Sequence, residues 1–144
     1  MEIRKPDPAL VRAGFVLFTL ALLTGFAIPA FLNHRMALAA HVTGILNALI
    51  LMALGLAWGL LAVSPRQATL TRGAFLYATY ANWATSCLGA AWGTTRLTPL
   101  SAAGYGAAPW KEAVVLALRV SFTLAMLAGA VSVVYALRSK PVAT

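Results

Sequence analysis

The second apolar run of the chain reads MALAAHVTGILNALILMALGLAWGLLAV from Met36 to Val63. This run is long enough to cross a bilayer, which takes about 20 consecutive apolar residues. It contains a histidine, His41, and lipid offers no hydrogen bond to a ring nitrogen. Because a buried polar group without a partner costs about 1–3 kcal/mol or more, we expect His41 to meet a protein group, a water molecule or a metal.

The composition is that of a membrane protein. Of the 144 residues, 61% are hydrophobic and only 10% are charged. The net charge of +8 does not indicate a nucleic-acid partner, because the basic residues stand singly at the ends of apolar runs, where they anchor helices. The single cysteine, Cys87, excludes an intrachain disulfide. The acidic residues, Glu2, Asp7 and Glu112, are too few and too scattered to form a paired-carboxylate catalyst.

Four apolar runs predict an all-α fold, an integral membrane four-helix bundle that forms one domain over residues 1–144. The predicted spans are about 9–32, 36–63, 73–92 and 113–137. The short connection 33–35 makes the first two helices an antiparallel hairpin. Residues 64–72 read as a polar loop. Residues 94–110, mostly small and apolar, read as a longer loop that lies against the bundle.

The distribution of basic residues predicts the orientation of the chain in a bacterial inner membrane. One side carries seven of them: Arg4, Lys5, Arg12, Arg66, Arg72, Arg138 and Lys140. The opposite side carries three: Arg35, Arg96 and Lys111. Because cytoplasmic loops carry the excess of Lys and Arg, both termini are expected in the cytoplasm.

Two polar side chains of the second helix point in different directions. Gly44 shares a face with His41 and leaves space beside the imidazole, either for a flat ring or for close packing of another helix. Asn47 is six residues beyond His41 and therefore points about 120° away from it. His41 and Asn47 could still serve one pocket between two copies of the chain. Alternatively, each hydrogen-bonds a neighbouring helix.

The third and fourth helices carry further candidates. Asn82 and Ser86 lie on one face, and Tyr80 and Trp83 form an adjacent stripe that serves either packing or a pocket. Arg119 lies about two turns inside the fourth helix. It either extends to the membrane surface, with Glu112 as a loose partner, or forms an anion site that faces the bundle, for example for a haem propionate.

Several segments of the chain, in order, resemble the hydroxylaminobenzene mutases, small membrane proteins that convert an arylhydroxylamine to an aminophenol. The segments are Leu23-Thr24-Gly25 through Pro29, Asn33-x-Arg35-Met36-x-Leu38-x-Ala40-His41, Asn47, Tyr77-x-Thr79-Tyr80-Ala81-Asn82-Trp83, Gly104-Tyr105-Gly106 and Trp110-x-Glu112. The resemblance runs from about Gly14 to Leu137.

The chain is also similar, more distantly, to styrene oxide isomerase, which has four membrane helices and is a trimer with haem b at its subunit interfaces. The likeness lies in a His followed six residues later by Asn in the second helix, and in an Ala-Asn pair in the third. It implies that His41 is the axial ligand of a haem iron and that Asn47 orients the substrate. The isomerase has a tyrosine where this chain has Ser86.

The resemblance implies an isomerase that moves a hydroxyl group from nitrogen to a ring carbon of a small aromatic substrate, with ferric haem b as Lewis acid and a homotrimer as the assembly. Its site would use Asn47, Tyr80, Asn82 and Ser86 in catalysis, Trp83 as a pocket wall, and His41, Gly44 and Arg119 at the cofactor. The alternatives are an aryl epoxide-to-carbonyl isomerase, a haem b electron-transfer subunit, and a structural or transport subunit without a cofactor.

Overall fold

A computed structural model describes residues 5–138 of the chain, and within them every regular element is helical. The helices are α1 (Pro8–Phe26), α2 (His34–Ala57), α3 (Pro65–Trp92) and α4 (Pro109–Ala136). Short 3₁₀ turns at Ile28–Ala30 and Trp58–Leu60 follow α1 and α2. The predicted all-α class is confirmed.

Three of the four helices are long and apolar enough to cross a membrane: Pro8–Phe26, His34–Leu60 (α2 with the turn that follows it) and Pro109–Ala136. Helix α3 has 28 residues and would reach about 42 Å, so its length suffices. Its tyrosine, asparagine, threonine and serine side chains make it too polar to qualify by composition. Because polar side chains are costly against lipid, α3 is expected to face protein on most sides.

The helix boundaries differ from the predicted spans where local capping chemistry decides them. Residues 64–72, read from the sequence as a polar loop, are the cap and first two turns of α3, so that interpretation is wrong. Ser64 Oγ accepts from the backbone N–H of Gln67, the Gln67 side chain accepts from the backbone N–H of Ser64, and Pro65 occupies the first helical position. Helix α1 ends at Phe26, six residues before the end of the predicted span, because Pro29 interrupts the chain.

Each helix packs against the next one in the chain, and α1 also touches α3. Helix α4 packs only against α3 among the described helices, so the four helices form a three-helix core with α4 attached to one side. The main apolar cluster lies between α1, α2 and α3 and extends to the last residue of α4. It contains Leu10, Leu17, Ala48, Leu51, Leu54, Leu61, Phe75 and Ala136.

The connection between α3 and α4 lies against the helix ends, as its apolar composition predicts. Glu112, in the first turn of α4, accepts hydrogen bonds from the backbone N–H groups of Thr95 (2.7 Å) and Arg96 (3.2 Å). The Asn33 side chain donates to the carbonyl oxygen of Ser101 at 3.0 Å. These three hydrogen bonds hold the loop against the helix ends, where its residues Thr98 and Ser101 line a cavity.

Helices α1 and α2 approach so closely at Gly14 that no side chain fits there. A Cβ atom at this position would lie 2.6 Å from Met52 Cγ and 2.9 Å from the carbonyl oxygen of Ala48. Gly73 in α3, in contrast, has no atom within 4 Å of such a Cβ. Small residues commonly let membrane helices approach in this way.

We therefore expect Gly14→Ala to lower the free energy of unfolding by about 1–3 kcal/mol, the usual cost of overpacking. The matched variant Gly73→Ala should raise it by about 0.5–1 kcal/mol, because alanine favours the helix. Thermal or denaturant unfolding of the detergent-solubilised protein, followed by circular dichroism, measures both. Equal stability of the two variants would contradict the close approach of α1 and α2.

Candidate functional site

The imidazole of His41 is held against α1 by one hydrogen bond. Its Nδ1 lies 2.7 Å from the carbonyl oxygen of Ala21. Because a carbonyl oxygen only accepts, Nδ1 carries the proton and Nε2 keeps its lone pair. Gly25 makes room for the ring, since a Cβ there would lie 2.8 Å from His41 Cε1. The half-buried ring makes no other hydrogen bond to residues 5–138.

This arrangement fits an axial ligand of a metal. A ligating histidine commonly donates its second ring N–H to a backbone carbonyl, as His41 does. No group of three or more His, Cys, Asp or Glu side chains that could hold a metal ion occurs within the described residues. A metal bound through His41 would therefore bring most of its own ligands, as the iron of a porphyrin does.

The space beside Gly44 is filled from within the same chain. A Cβ at Gly44 would lie 2.7 Å from both Ala21 Cβ and Trp83 Cδ1. The Trp83 indole is held there because its Nε1 donates to Thr24 Oγ1 at 3.1 Å. Of the two uses considered for this space, the chain shows close helix packing. A cofactor contact at Gly44 stays a prediction, and it would require Trp83 to move.

Asn47 and Tyr80 connect helices. Asn47 is only 4% exposed, and its Nδ2 donates to the carbonyl oxygen of Thr79 in α3 at 3.2 Å. The Tyr80 hydroxyl donates to the carbonyl oxygen of Ala13 in α1 at 2.8 Å. The Asn47 bond is the interhelical contact that was the alternative to a catalytic role for this residue, whereas the Tyr80 bond was not predicted. The catalytic roles of these two residues stay predictions.

Three of the predicted site residues, Asn82, Ser86 and Arg119, line one polar cavity, which we call the Asn82 cavity. Its volume is about 160 Å³, similar to a cavity that holds one benzene ring. The remaining lining residues are Met36, Ala39, Thr43, Thr98 and Ser101. Sequence reasoning missed these five. For Thr98 and Ser101 the only signal was that their loop is apolar enough to pack on the bundle.

The side chains of the Asn82 cavity differ in their remaining hydrogen-bonding capacity. The Asn82 amide makes no hydrogen bond to the described residues and can both donate and accept. Ser86 Oγ donates to the backbone carbonyl oxygen of Asn82 at 2.9 Å, so its hydroxyl oxygen can only accept a further hydrogen bond. Arg119 Nε is buried and has no hydrogen-bond partner among residues 5–138. Glu112, its predicted loose partner, is bonded to the loop instead.

His41 and the Asn82 cavity lie on opposite sides of α2. Ala39 and Thr43, which line the cavity, are two residues before and after His41, and each is therefore rotated about 160° from it around the helix. Trp83 and His41 face α1, whereas the cavity opens between α2, α3 and α4. One chain therefore does not bring the free imidazole nitrogen to the cavity.

One protein family and two curated proteins match most of the length of this chain. The family described as styrene oxide isomerase matches residues 7–138. Hydroxylaminobenzene mutase HabB of Ectopseudomonas oleovorans is 36% identical over 133 residues, which cover 92% of this chain and 81% of that protein. Hydroxylaminobenzene mutase HabA of the same organism is 38% identical over 120 residues, which cover 83% of this chain and 89% of that protein. No solved structure matches the chain significantly.

Because Asn47 and Asn82 have different surroundings, we expect their replacement by alanine to change the stability of the protein by different amounts. Asn47→Ala should lower the free energy of unfolding by about 1–3 kcal/mol, because it removes a buried hydrogen bond and leaves space in the core. Asn82→Ala should change it by no more than about 0.5 kcal/mol, since the amide has no hydrogen bond to lose. Unfolding in detergent measures both values. A larger loss in Asn82→Ala than in Asn47→Ala would contradict this assignment.

Proposed function

This chain belongs to the styrene oxide isomerase family, and from that premise we propose that it isomerises arylhydroxylamines to aminophenols in a membrane. The main observation in favour of this proposal is the Asn82 cavity, which is lined by polar side chains and is about large enough for one aromatic ring. The names of HabB and HabA, which match over most of their length, support a mutase that acts on hydroxylaminobenzene-type substrates.

The second candidate is the isomerisation of an aryl epoxide to a carbonyl compound. The family description favours it, and the volume of the Asn82 cavity suits either substrate. Both reactions convert one small aryl compound into an isomer without an added reactant. Assays of hydroxylaminobenzene and styrene oxide with the same membrane preparation distinguish them, because the faster reaction identifies the natural chemistry.

The rearrangement breaks the N–O bond, forms a C–O bond at a ring carbon and moves the proton of that carbon to nitrogen, so the product is an isomer of the substrate. In this chain the Asn82 amide donates to the hydroxyl oxygen and accepts from the N–H group of the substrate. Ser86 Oγ accepts a second hydrogen bond. The loop held by Glu112 and Asn33 excludes bulk water, which would otherwise compete with the migrating hydroxyl.

We propose haem b as the cofactor, with His41 Nε2 as the atom that would hold its iron. When bound, ferric haem would supply a Lewis acid for cleavage of the N–O bond. The chain contributes the hydrogen bond from Nδ1 to the carbonyl oxygen of Ala21, which orients the ring and leaves Nε2 with its lone pair. The exposed apolar side chains Leu38 and Val42 flank His41 on α2 and suit the face of a porphyrin.

The opposite placement of His41 and the Asn82 cavity on α2 supports an assembly in which two copies complete one site. His41 of one copy would serve the Asn82 cavity of the next, and a closed ring, as in the proposed homotrimer, would give every copy both roles. The helix geometry of the sequence predicts that His41 shares a pocket with Asn47 of a neighbouring copy. Asn82 is the better candidate, because Asn47 is buried and bonded to Thr79.

This assembly predicts complementation between two inactive variants. His41→Ala and Asn82→Ala should each lose activity, but co-expressed in equal amounts they should recover about a quarter of wild-type turnover, because that fraction of interfaces receives both intact residues. Co-expression of His41→Ala with the double variant His41→Ala/Asn82→Ala is the control and should remain inactive. If the first mixture also stays inactive while both variants co-assemble, the shared site is wrong.

We further propose that both termini face the cytoplasm of a bacterial inner membrane. The support is the seven-to-three distribution of basic residues, of which Arg4 and Lys140 lie outside the described residues. A green fluorescent protein fused after Thr144 should fluoresce, and alkaline phosphatase fused at the same point should be inactive. An alkaline phosphatase fusion within the loop at Gly104 should be active. The reverse pattern would overturn the orientation.

A further inference from the structure

Arg119 is a cation inside α4 that has no counter-charge in the described part of the chain. Residues 5–138 contain two acidic side chains. Asp7 is 3.5 Å from Arg72 and caps α1, and Glu112 binds the backbone of the loop. Neither forms an ion pair with Arg119. A charge inside a bundle normally has a partner, so Arg119 is expected to receive one from outside this chain.

Arg119 lines two spaces of different character. One is the Asn82 cavity, whose hydroxyl and amide groups can bind a polar ligand. The other is an apolar groove of about 210 Å³, which is also lined by Leu97, Leu116, Val120, Thr123 and Leu124. The apolar groove lowers the local dielectric constant, which strengthens the attraction between Arg119 and an anion in the cavity.

We propose that Arg119 binds a carboxylate in the Asn82 cavity, and that the preferred substrates are therefore arylhydroxylamines with a carboxylate on the ring. This inference rests on the proposed function and specifies the substrate class of the same site. A carboxylate matches the planar donors of a guanidinium and supplies both an acceptor for Nε–H and the missing negative charge. An unsubstituted ring supplies neither.

A carboxylate could also come from a propionate group of the cofactor. The lining of the Asn82 cavity favours the substrate, because its amide and hydroxyl groups offer a hydroxylamino group hydrogen bonds that a propionate alone would leave unused. The two sources differ in what the loss of Arg119 would remove. Loss of a substrate contact changes the choice of substrate, whereas loss of a propionate contact changes the amount of bound cofactor.

The test compares hydroxylaminobenzene with its meta- and para-carboxylated analogues on the purified full-length protein. We expect the wild type to favour a carboxylated substrate in kcat/KM. Arg119→Met should lower the ratio of the carboxylated to the unsubstituted kcat/KM by about ten- to hundredfold, the effect expected for a hydrogen bond to a charged group. Arg35→Met, which removes an exposed charge, should leave the ratio unchanged.

Binding of benzoate, an inert probe, gives a readout that does not depend on turnover. Calorimetry should show benzoate binding to the wild type and to Arg35→Met, and a loss of about tenfold or more in affinity in Arg119→Met. If Arg119→Met does not fold, Arg119→Lys keeps the charge but loses the planar fork, and it should show a smaller loss of the same kind.

The remaining outcomes separate this inference from the proposed function. Loss of haem from Arg119→Met, with an unchanged substrate ratio and benzoate affinity, would assign the carboxylate to the cofactor and overturn the inference. A wild type that isomerises hydroxylaminobenzene but rejects both carboxylated substrates would also overturn it, while the proposed function stands. A wild type that binds benzoate through Arg119 but isomerises none of the substrates would contradict the proposed function alone.

Discussion

The hydrogen bond from His41 Nδ1 to the carbonyl oxygen of Ala21 determines what the rest of the site can do. It fixes the tautomer, so that Nε2 keeps a lone pair in surroundings where an unpaired nitrogen is costly. The bond forms only because Gly25, one helical turn after Ala21, has no Cβ to block the ring. A single turn of α1 therefore seats the imidazole and leaves one nitrogen for a ligand.

The polar side chains inside the helices fall into two groups with different tasks. Asn47, Tyr80 and Trp83 donate hydrogen bonds to backbone or hydroxyl oxygens of neighbouring helices and so connect α1, α2 and α3. Asn82 and Arg119 keep free donors that line a cavity. Function is expected where hydrogen-bonding capacity remains unused.

The lengths of the apolar runs predict the four helices, and the small, apolar composition of residues 94–110 predicts a loop that packs against them. Composition gives the wrong answer at residues 64–72, where the capping signal of Ser64, Pro65 and Gln67 outweighs their polarity and begins α3. For the site, Asn82, Ser86 and Arg119 could be named from sequence, but their convergence could not, since it depends on how α4 docks on α3. The filling of the Gly44 space by Trp83 likewise depends on a tertiary contact that spacing does not encode.

The proposal that His41 Nε2 binds a haem iron can be tested by the absorption spectrum of the protein purified from haem-replete cells. We expect a Soret band with about one haem per chain, and the loss of this band in His41→Ala while the helical circular dichroism is retained. A wild-type protein that catalyses the isomerisation without a Soret band, or a His41→Ala variant that keeps the full band, would contradict it.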